Sequence, residues 1–296
     1  MIQRKSFLLI GAHMSIAGGI YKALLRGREV GCRTVQVFLR SNMAWNPGRF
    51  GPKDAAKFAE AREKTGISPV VAHNCYLVNL ASTNKRILSR SLEATVGELQ
   101  RAEVLGIPYL VMHPGAHLGA GERLGLRRVA RGLDRALAAS GSRNVRVLLE
   151  TTAGQGTVLG WRFEHLAQVI AASSFAERLG VCYDTCHTFA AGYDIRTRRA
   201  YLATMRNFNK VIGLERLLCF HFNDALRQLG SRRDRHTHIG HGELGEAPFA
   251  YILCDKRFTN VPKILETPKG TYRRRSWDRI NLDTLRRLAG EDKIES

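Results

Sequence analysis

The segment VRVLLE, residues 145–150, is a short apolar run that ends in a residue able to bind a metal ion. The same pattern recurs in PVVAH (69–73), YLVMH (109–113), LGVCYD (179–184), LLCFH (217–221) and PKILE (262–266). Near-continuous apolar runs of this length are typical of strands that are buried on both faces of a parallel sheet. Core packing gives no reason for six such runs to end in His, Asp or Glu, so the pattern indicates one shared metal centre.

Eight apolar runs alternate with amphipathic helical patterns along the 296 residues. We predict strands at Phe7–Ala12, Thr34–Leu39, Pro69–Ala72, Tyr109–Met112, Val145–Leu149, Leu179–Tyr183, Leu217–Phe220 and Pro262–Leu265. We predict helices at Ile20–Val30, Lys53–Lys64, Lys85–Leu105, Arg123–Ala139, Phe163–Ala172, Ala200–Val211 and Ser276–Ala289, three of which end at the capping glycines Gly31, Gly66 and Gly106.

This alternation predicts an α/β fold, a single (β/α)8 TIM barrel that spans residues 1–296 as one domain. An open doubly wound sheet is the alternative, but it would not bring six strand ends to one point. In a closed barrel the active site lies at the carboxyl ends of the strands. The predicted metal centre lies at those same ends.

Composition adds a large positive charge. The hydrophobic content of 44% suits a globular protein, and no apolar run is long enough to span a membrane. The formal net charge is +20, with Arg clusters at 123–131, 196–199, 232–235 and 273–275. A basic surface favours nucleic acid through counterion release, although Arg on solvated helix faces would give the same count. Six cysteines without a CxxC pair, and no secretion signal, favour reduced thiols and a cytoplasmic protein.

Nine residues form the predicted ligand set. Six end apolar runs and three follow in loops, where His187 lies in DTCH and a D-x-H pair lies in RRDRHTH. The set is His73, His113, Glu150, Asp184, His187, His221, Asp234, His236 and Glu266. Imidazoles and carboxylates without thiolates suit catalytic zinc, manganese or iron. Nine ligands exceed the need of one ion, and clustered divalent ions catalyse phosphodiester hydrolysis.

Four other histidines are left out of this set. His13 ends the first strand and is equally compatible with a structural and a functional role. His238 and His241 lie close to the D-x-H pair, and we predict that His165 lies on the exterior of a helix. Gly154 and Gly156 lack the rest of a phosphate-binding motif, so we predict a tight turn there.

The motifs together resemble the bacterial endonuclease IV family, the zinc-dependent, deoxyribonuclease IV-type apurinic/apyrimidinic endonucleases. The resemblance runs from GAHMSIAGG (11–19) through AHNCYLVNLAS, LVMHPGAHLG, LLETTAGQG, VCYDTCHTFAAGYD and GSRRDRHTHIGHGELG to ILETP. It implies a (β/α)8 barrel with three zinc ions. The first would be held by His73, His113 and Glu150, the second by Glu150 with Asp184, His221 and Glu266, and the third by His187, Asp234 and His236.

The same resemblance implies that side chains wedge into a bent duplex while the abasic nucleotide is flipped into the site. Tyr76 matches a residue that the family inserts through the minor groove, and Met43 lies where a second wedge is expected. Some members carry Arg and Gln where this chain has Met43 and Ala44. Asn74 and Thr151 likewise replace the more usual Asp and Asn, next to predicted ligands.

We therefore expect a monomeric, non-membrane DNA-repair hydrolase that cuts duplex DNA 5′ to abasic sites, leaving a 3′-hydroxyl and a 5′-deoxyribose phosphate. We expect 3′-phosphatase and 3′-phosphodiesterase trimming at the same centre. In this hypothesis a zinc-bridging hydroxide attacks, Glu266 orients or deprotonates it, and Glu150 holds the bridged pair. A sugar isomerase or epimerase barrel is one alternative, disfavoured by the third ligand group. A zinc-containing damage-binding protein without catalysis is the other.

Overall fold

The computed structural model describes residues 8–46 and 48–291, and its centre is a closed barrel of eight parallel strands. In chain order the strands are β1 Ile10–His13, β2 Thr34–Phe38, β3 Val70–His73, β4 Tyr109–Met112, β5 Arg146–Glu150, β6 Leu179–Asp184, β7 Leu217–Phe222 and β8 Lys263–Leu265. Each strand pairs with its neighbours in chain order, and β8 pairs with β1 to close the ring. The predicted TIM barrel is confirmed, and the open sheet is excluded.

Nine α-helices lie within the described ranges. They are α1 Tyr21–Val30, α2 Pro52–Thr65, α3 Lys85–Leu105, α4 Glu122–Ser140, α5 Phe163–Ala172, α6 Thr185–Ala191, α7 Arg198–Val211, α8 Ala247–Leu253 and α9 Trp277–Leu288. None of them combines the length with the apolar character that a membrane crossing requires. The predicted caps are confirmed: Gly31, Gly66 and Gly106 end α1, α2 and α3 in the left-handed conformation that glycine adopts without steric cost.

The predicted boundaries differ from the observed ones by a few residues, except in α3, α5 and β4, where they agree. The first strand begins at Ile10, and its predicted start at Phe7 lies outside the described residues. Helix α7 begins two residues early, because the Thr197 hydroxyl accepts a hydrogen bond from Ala200 N and so caps the helix. The short helices α6 and α8 were not predicted.

The barrel interior explains why the predicted ligands face one another. A buried apolar layer lies two residues before each strand-end ligand: Val71, Val111, Leu148, Cys182, Cys219 and Ile264. Because strand side chains alternate between the two faces, residues two apart point to the same side. The strand-end residues therefore form the next layer towards the carboxyl mouth of the barrel.

Two short antiparallel pairs shape the loops at this mouth. Asp224–Ala225 pairs with His236–Thr237 in the loop after β7. Thr271–Tyr272 pairs with Arg275–Ser276 in the loop after β8. The second pair is a hairpin whose central residues, Arg273 and Arg274, both have positive φ, 47° and 65°. This conformation is unusual for residues other than glycine and matches the right-handed twist of a hairpin.

Candidate metal centre

The nine predicted residues come together at the mouth of the barrel in three groups of potential ligand atoms. The groups are His73, His113 and Glu150; Glu150, Asp184, His221 and Glu266; and His187, Asp234 and His236. Within each group the ligand atoms all lie within 4.8 Å of one another. The grouping coincides with the three sets that the family resemblance implies.

Glu150 lies at the centre of this arrangement and is fully buried. Its Oε2 is 3.1 Å from His73 Nε2 and 3.0 Å from His113 Nε2. Its Oε1 is 3.0 Å from His221 Nδ1 and 3.2 Å from His187 Nδ1. One carboxylate therefore contacts imidazoles of all three groups.

One ring nitrogen of His73 faces the backbone of Asn74 and the other faces Glu150. The bond to the backbone determines which nitrogen carries the proton in the neutral ring. Its Nδ1 is 2.7 Å from the backbone oxygen of Asn74. A carbonyl oxygen can only accept, so Nδ1 carries the proton of a neutral ring. The Nε2 lone pair then points at a carboxylate oxygen 3.1 Å away. Two acceptors at that distance repel each other unless a proton or a metal ion lies between them.

His221 shows the same arrangement with three carboxylates. Its Nε2 lies 2.8 Å from Gln36 Oε1, an oxygen that can only accept. The inner Nδ1 lies 3.1 Å from Glu266 Oε2 and 3.8 Å from Asp184 Oδ2, in addition to its contact with Glu150. No single proton can satisfy all of these oxygens, whereas a divalent cation can.

The third group repeats the pattern with Asp234 as its carboxylate. His187 Nδ1 lies 2.9 Å from Thr151 O, and His236 Nδ1 lies 3.3 Å from Glu266 O. Their Nε2 atoms are 3.3 Å apart, and each is 3.2 Å from an oxygen of Asp234. Two lone pairs and a carboxylate converging on one point form a donor set that suits a cation.

Neighbouring charges lower the pKa of a carboxylate of the centre and raise the pKa of an imidazole. Although burial favours the neutral acid, His221 and His113 hold the pKa of Glu150 well below its usual value. Burial also opposes the charging of His187, yet Asp184 raises the pKa of that imidazole well above its usual value. Without a metal ion His187 therefore holds a proton, and metal binding must displace it.

Nitrogen and oxygen donors fit zinc, manganese or iron, and the neighbouring sulfurs do not change this. Cys182 and Cys219 lie in the barrel layer beneath His221 and could approach the same ion. Burial raises the pKa of the Cys182 thiol well above its usual value, so this sulfur stays protonated. A protonated thiol is a poor metal ligand.

Two polar residues that support the predicted ligands, Gln36 and Asn223, were missed in the sequence, and His13, which was left open between a structural and a functional role, supports them as well. Gln36 Nε2 donates to Glu266 Oε1 over 2.5 Å, and His13 Nδ1 lies 3.2 Å from the same oxygen. Asn223 Nδ2 donates to Asp184 Oδ2 over 2.7 Å. Gln36 is fully buried inside the apolar segment TVQVF. A polar side chain in a buried strand is the signal that could have identified it.

The two residues that depart from the family pattern have different surroundings. Thr151 supports the centre, because its hydroxyl accepts from Asp184 N at 2.9 Å and its carbonyl accepts from His187. The side-chain amide of Asn74 donates to Thr95 Oγ1 at 3.4 Å, and no hydrogen-bond partner is described for its buried Oδ1.

His165 was predicted on a helix exterior, and that prediction is wrong. Its side chain is buried, Nδ1 accepts from Gly160 N at 3.2 Å, and Nε2, which then carries the proton, lies 3.4 Å from Glu122 Oε2. It therefore stabilises the loop after β5, which a helical pattern alone could not reveal. His238 lies outside the centre, with its ring stacked on Trp277 at a centroid distance of 3.6 Å.

The two predicted wedge residues are among the most exposed apolar side chains at this end of the barrel. Met43 is 67% exposed and Tyr76 is 48% exposed. The Tyr76 ring packs edge-on against Phe38, with centroids 5.2 Å apart, and against the predicted ligand His73 at 5.4 Å. Tyr76 thus stands directly beside the first ligand group.

Known proteins share both this fold and this sequence. The family described as the xylose isomerase-like TIM barrel matches residues 24–288. A probable endonuclease 4 from Geobacter sulfurreducens is 50% identical over 279 residues, which are 94% of each chain. The crystal structure of endonuclease IV from Thermus thermophilus superposes with a TM-score of 0.85 at 35% identity, covering 96% of this chain and 99% of that one. A D-tagatose 3-epimerase-like protein, at a TM-score of 0.71 and 17% identity over 96% and 99% of the two chains, shares the fold.

Proposed function

Because this chain belongs to the endonuclease IV family, we propose that it is a metal-dependent DNA-repair endonuclease that cleaves duplex DNA at abasic sites. One observation carries the proposal: three convergent donor groups share one barrel mouth with two exposed apolar side chains, on a protein of net charge +20. All nine donors come from one chain, which supports a monomer.

The proposed cofactor is three Zn²⁺ ions, one for each donor group. His73, His113 and Glu150 would hold the first, Glu150 with Asp184, His221 and Glu266 the second, and His187, Asp234 and His236 the third. When bound, such ions supply Lewis acidity, which activates water and neutralises the charge on a departing oxygen. The lone pairs that face one another inside each group support this assignment.

Glu266 and Glu150 would divide the remaining chemistry according to their exposure. The Glu266 side chain is 11% exposed, whereas that of Glu150 is 0% exposed. Water and substrate can therefore reach only Glu266 of the two. Gln36 and His13 hold its Oε1, so Glu266 is positioned to orient the attacking water and to take its proton. Glu150 would hold the imidazoles of three groups in place.

The surroundings of the site support selectivity for abasic DNA. Extruding a nucleotide costs least where base pairing is already lost. Tyr76 and Met43, both exposed, would occupy the gap in the stack, as apolar wedges do in the minor groove. We expect cleavage on the 5′ side, which leaves a 3′-hydroxyl and a 5′-deoxyribose phosphate. Trimming of 3′-phosphates and 3′-phosphodiesters would use the same centre.

A duplex with one abasic site, incubated with the protein before and after chelation, tests this function. We expect one cut 5′ to the lesion, no cut in the same duplex with an intact base pair, loss of cutting after chelation and its return with Zn²⁺. Binding of the lesion without a cut would indicate a damage-binding protein. Epimerisation of a ketose without DNA cleavage would indicate a sugar epimerase.

A further inference from the structure

A buried ion pair lies beneath the two loops that carry Met43 and Tyr76. Glu98, on α3, places Oε1 3.0 Å from Arg40 Nε. Their side chains are 0% and 4% exposed. Arg40 opens the loop after β2, three residues before Met43. Burial of this pair is costly, because it raises the pKa of the Glu98 carboxyl to about 8. Such a pair adds little stability over apolar packing, so its geometry needs a separate explanation.

The same carboxylate also contacts the loop after β3. Glu98 Oε1 accepts a hydrogen bond from Cys75 N at 3.4 Å, and Cys75 directly precedes Tyr76. One oxygen on a long helix therefore contacts both loops. Neither Glu98 nor Arg40 belongs to the metal centre.

Further hydrogen bonds connect the pair to the wedge residues themselves. Arg40 Nη1 donates to Trp45 O at 2.8 Å, which closes the loop around Met43. Tyr76 N donates to Asn42 O at 3.2 Å, so the residue before Met43 is bonded to the second wedge. The two loops thus form one hydrogen-bonded unit.

We propose that Glu98 is a positioning residue that fixes Met43 and Tyr76 relative to each other, so that the two side chains enter the duplex as one unit. This inference rests on the proposed cleavage of abasic DNA. Two independent loops would each lose conformational entropy on binding, whereas a preorganised pair avoids most of that cost. The ion pair would fix the distance between Met43 and Tyr76 in the free protein.

Double-mutant cycles test whether the two wedges act as a unit. We would measure binding of a duplex that carries a tetrahydrofuran abasic analogue by Met43→Ala, Tyr76→Ala and the double variant. Unstacking would be followed by 2-aminopurine fluorescence opposite the lesion. If the wedges act together, the fold loss of duplex affinity in the double variant is smaller than the product of the fold losses in the two single variants, by a factor of about ten.

The same cycle is then repeated in Glu98→Gln and Arg40→Lys backgrounds. Each change keeps a polar side chain but alters the pair, and we expect the coupling factor to fall to about one and 2-aminopurine unstacking to decrease. Glu93→Gln is the matched control, because Glu93 is an exposed glutamate on the same helix. In the Glu93→Gln background, Met43 and Tyr76 should retain their full coupling.

Coupling that persists in both backgrounds, or that is absent in the unaltered protein, would overturn this inference. Cleavage of the abasic duplex by the unaltered protein is measured in parallel, and its absence would instead overturn the proposed function. Hydrolysis of bis(4-nitrophenyl) phosphate, which needs no wedge, should be unchanged in Glu98→Gln. A parallel fall in that activity would make Glu98 a structural residue of the whole barrel mouth and would contradict its assigned role.

Discussion

Gln36 Nε2 donates a hydrogen bond to Glu266 Oε1 over 2.5 Å, and this bond fixes the orientation of the whole Gln36 amide. A carboxylate can only accept, so the amide nitrogen faces Glu266 and the amide oxygen faces His221. His221 must then carry its proton on Nε2, which leaves Nδ1 free for a metal ion. One uncharged side chain thus controls a carboxylate and an imidazole together.

Replacing Gln36 with Met should impair the centre while leaving the barrel folded. The change preserves side-chain length but removes the donor to Glu266 and the acceptor for His221. Loss of such supporting hydrogen bonds usually lowers metal affinity or activity about 10- to 100-fold. Turnover and zinc affinity would be measured, with exposed Gln100→Met as the control. Unchanged values for both would contradict this role.

Glu266→Gln should abolish most turnover but preserve binding of abasic duplex. The amide keeps the shape of the side chain and can still accept from Gln36, but it cannot take a proton from water. Loss of a general base typically lowers the rate about 100- to 10,000-fold. Single-turnover cleavage and duplex affinity would be compared with those of Glu243→Gln, a change in a nearby loop outside the donor groups. Full cleavage by Glu266→Gln would exclude the proton-transfer role.

Asp234→Asn should selectively weaken the third donor group. Asp234 contacts His187 and His236 but neither His73 nor His221, and its side chain is the most exposed of the nine at 36%, next to His113 at 35%. We expect elemental analysis to find about two zinc ions per chain instead of three, together with loss of duplex cleavage. Loss of every ion, or retention of all three, would show that this group is not an independent site.

Zinc should stabilise the protein more strongly as pH rises. Although burial opposes it, Asp184 and Glu266 raise the pKa values of His187 and His221, respectively, in the metal-free fold. That contribution to the free energy of unfolding is complete below about pH 6.5 and is lost as pH rises through the raised values. Zinc needs the neutral rings, so its binding improves over the same range.

Thermal unfolding of chelator-treated protein would measure this trend. At each pH the melting temperature would be compared without zinc and with the same added concentration of zinc. The zinc-induced gain in melting temperature should increase from about pH 6 to about pH 9. His241→Gln, which alters an exposed imidazole outside the donor groups, should show the same trend. A gain that is constant or that shrinks with pH would contradict proton displacement from the centre.

The hairpin after β8 should contribute two phosphate contacts. Within the described ranges Arg273 and Arg274 have no ion-pair partner, whereas Arg275 pairs with Asp283. We expect Arg273→Gln with Arg274→Gln to reduce the slope of log K against log salt by about 1.8, because each phosphate contact adds about 0.9. The control Arg275→Gln should leave the salt slope nearly unchanged. An unaltered slope in the double variant would assign the hairpin tip to solvent.

Local sequence was sufficient to predict the barrel. The short apolar strands and the placement of His, Asp and Glu at their ends are properties of short segments, so VRVLLE and LGVCYD predicted both a strand and a potential ligand at its end. Helix α3 was predicted residue for residue, and the glycine that ends it, Gly106, is a local signal. His165 was misplaced because a helical pattern does not show its contact with Glu122, which lies far away in the chain.

The sequence by itself thus determined the fold class and the types of ligand, since both follow from backbone geometry and residue chemistry over a few positions. Only the tertiary structure decided that Gln36 bonds Glu266, 230 positions later, and that Glu98 contacts two separate loops. The bond from Gln36 to Glu266 requires a closed barrel, in which β8 pairs with β1. The geometry of such contacts depends on the packing of distant segments, which no local pattern encodes.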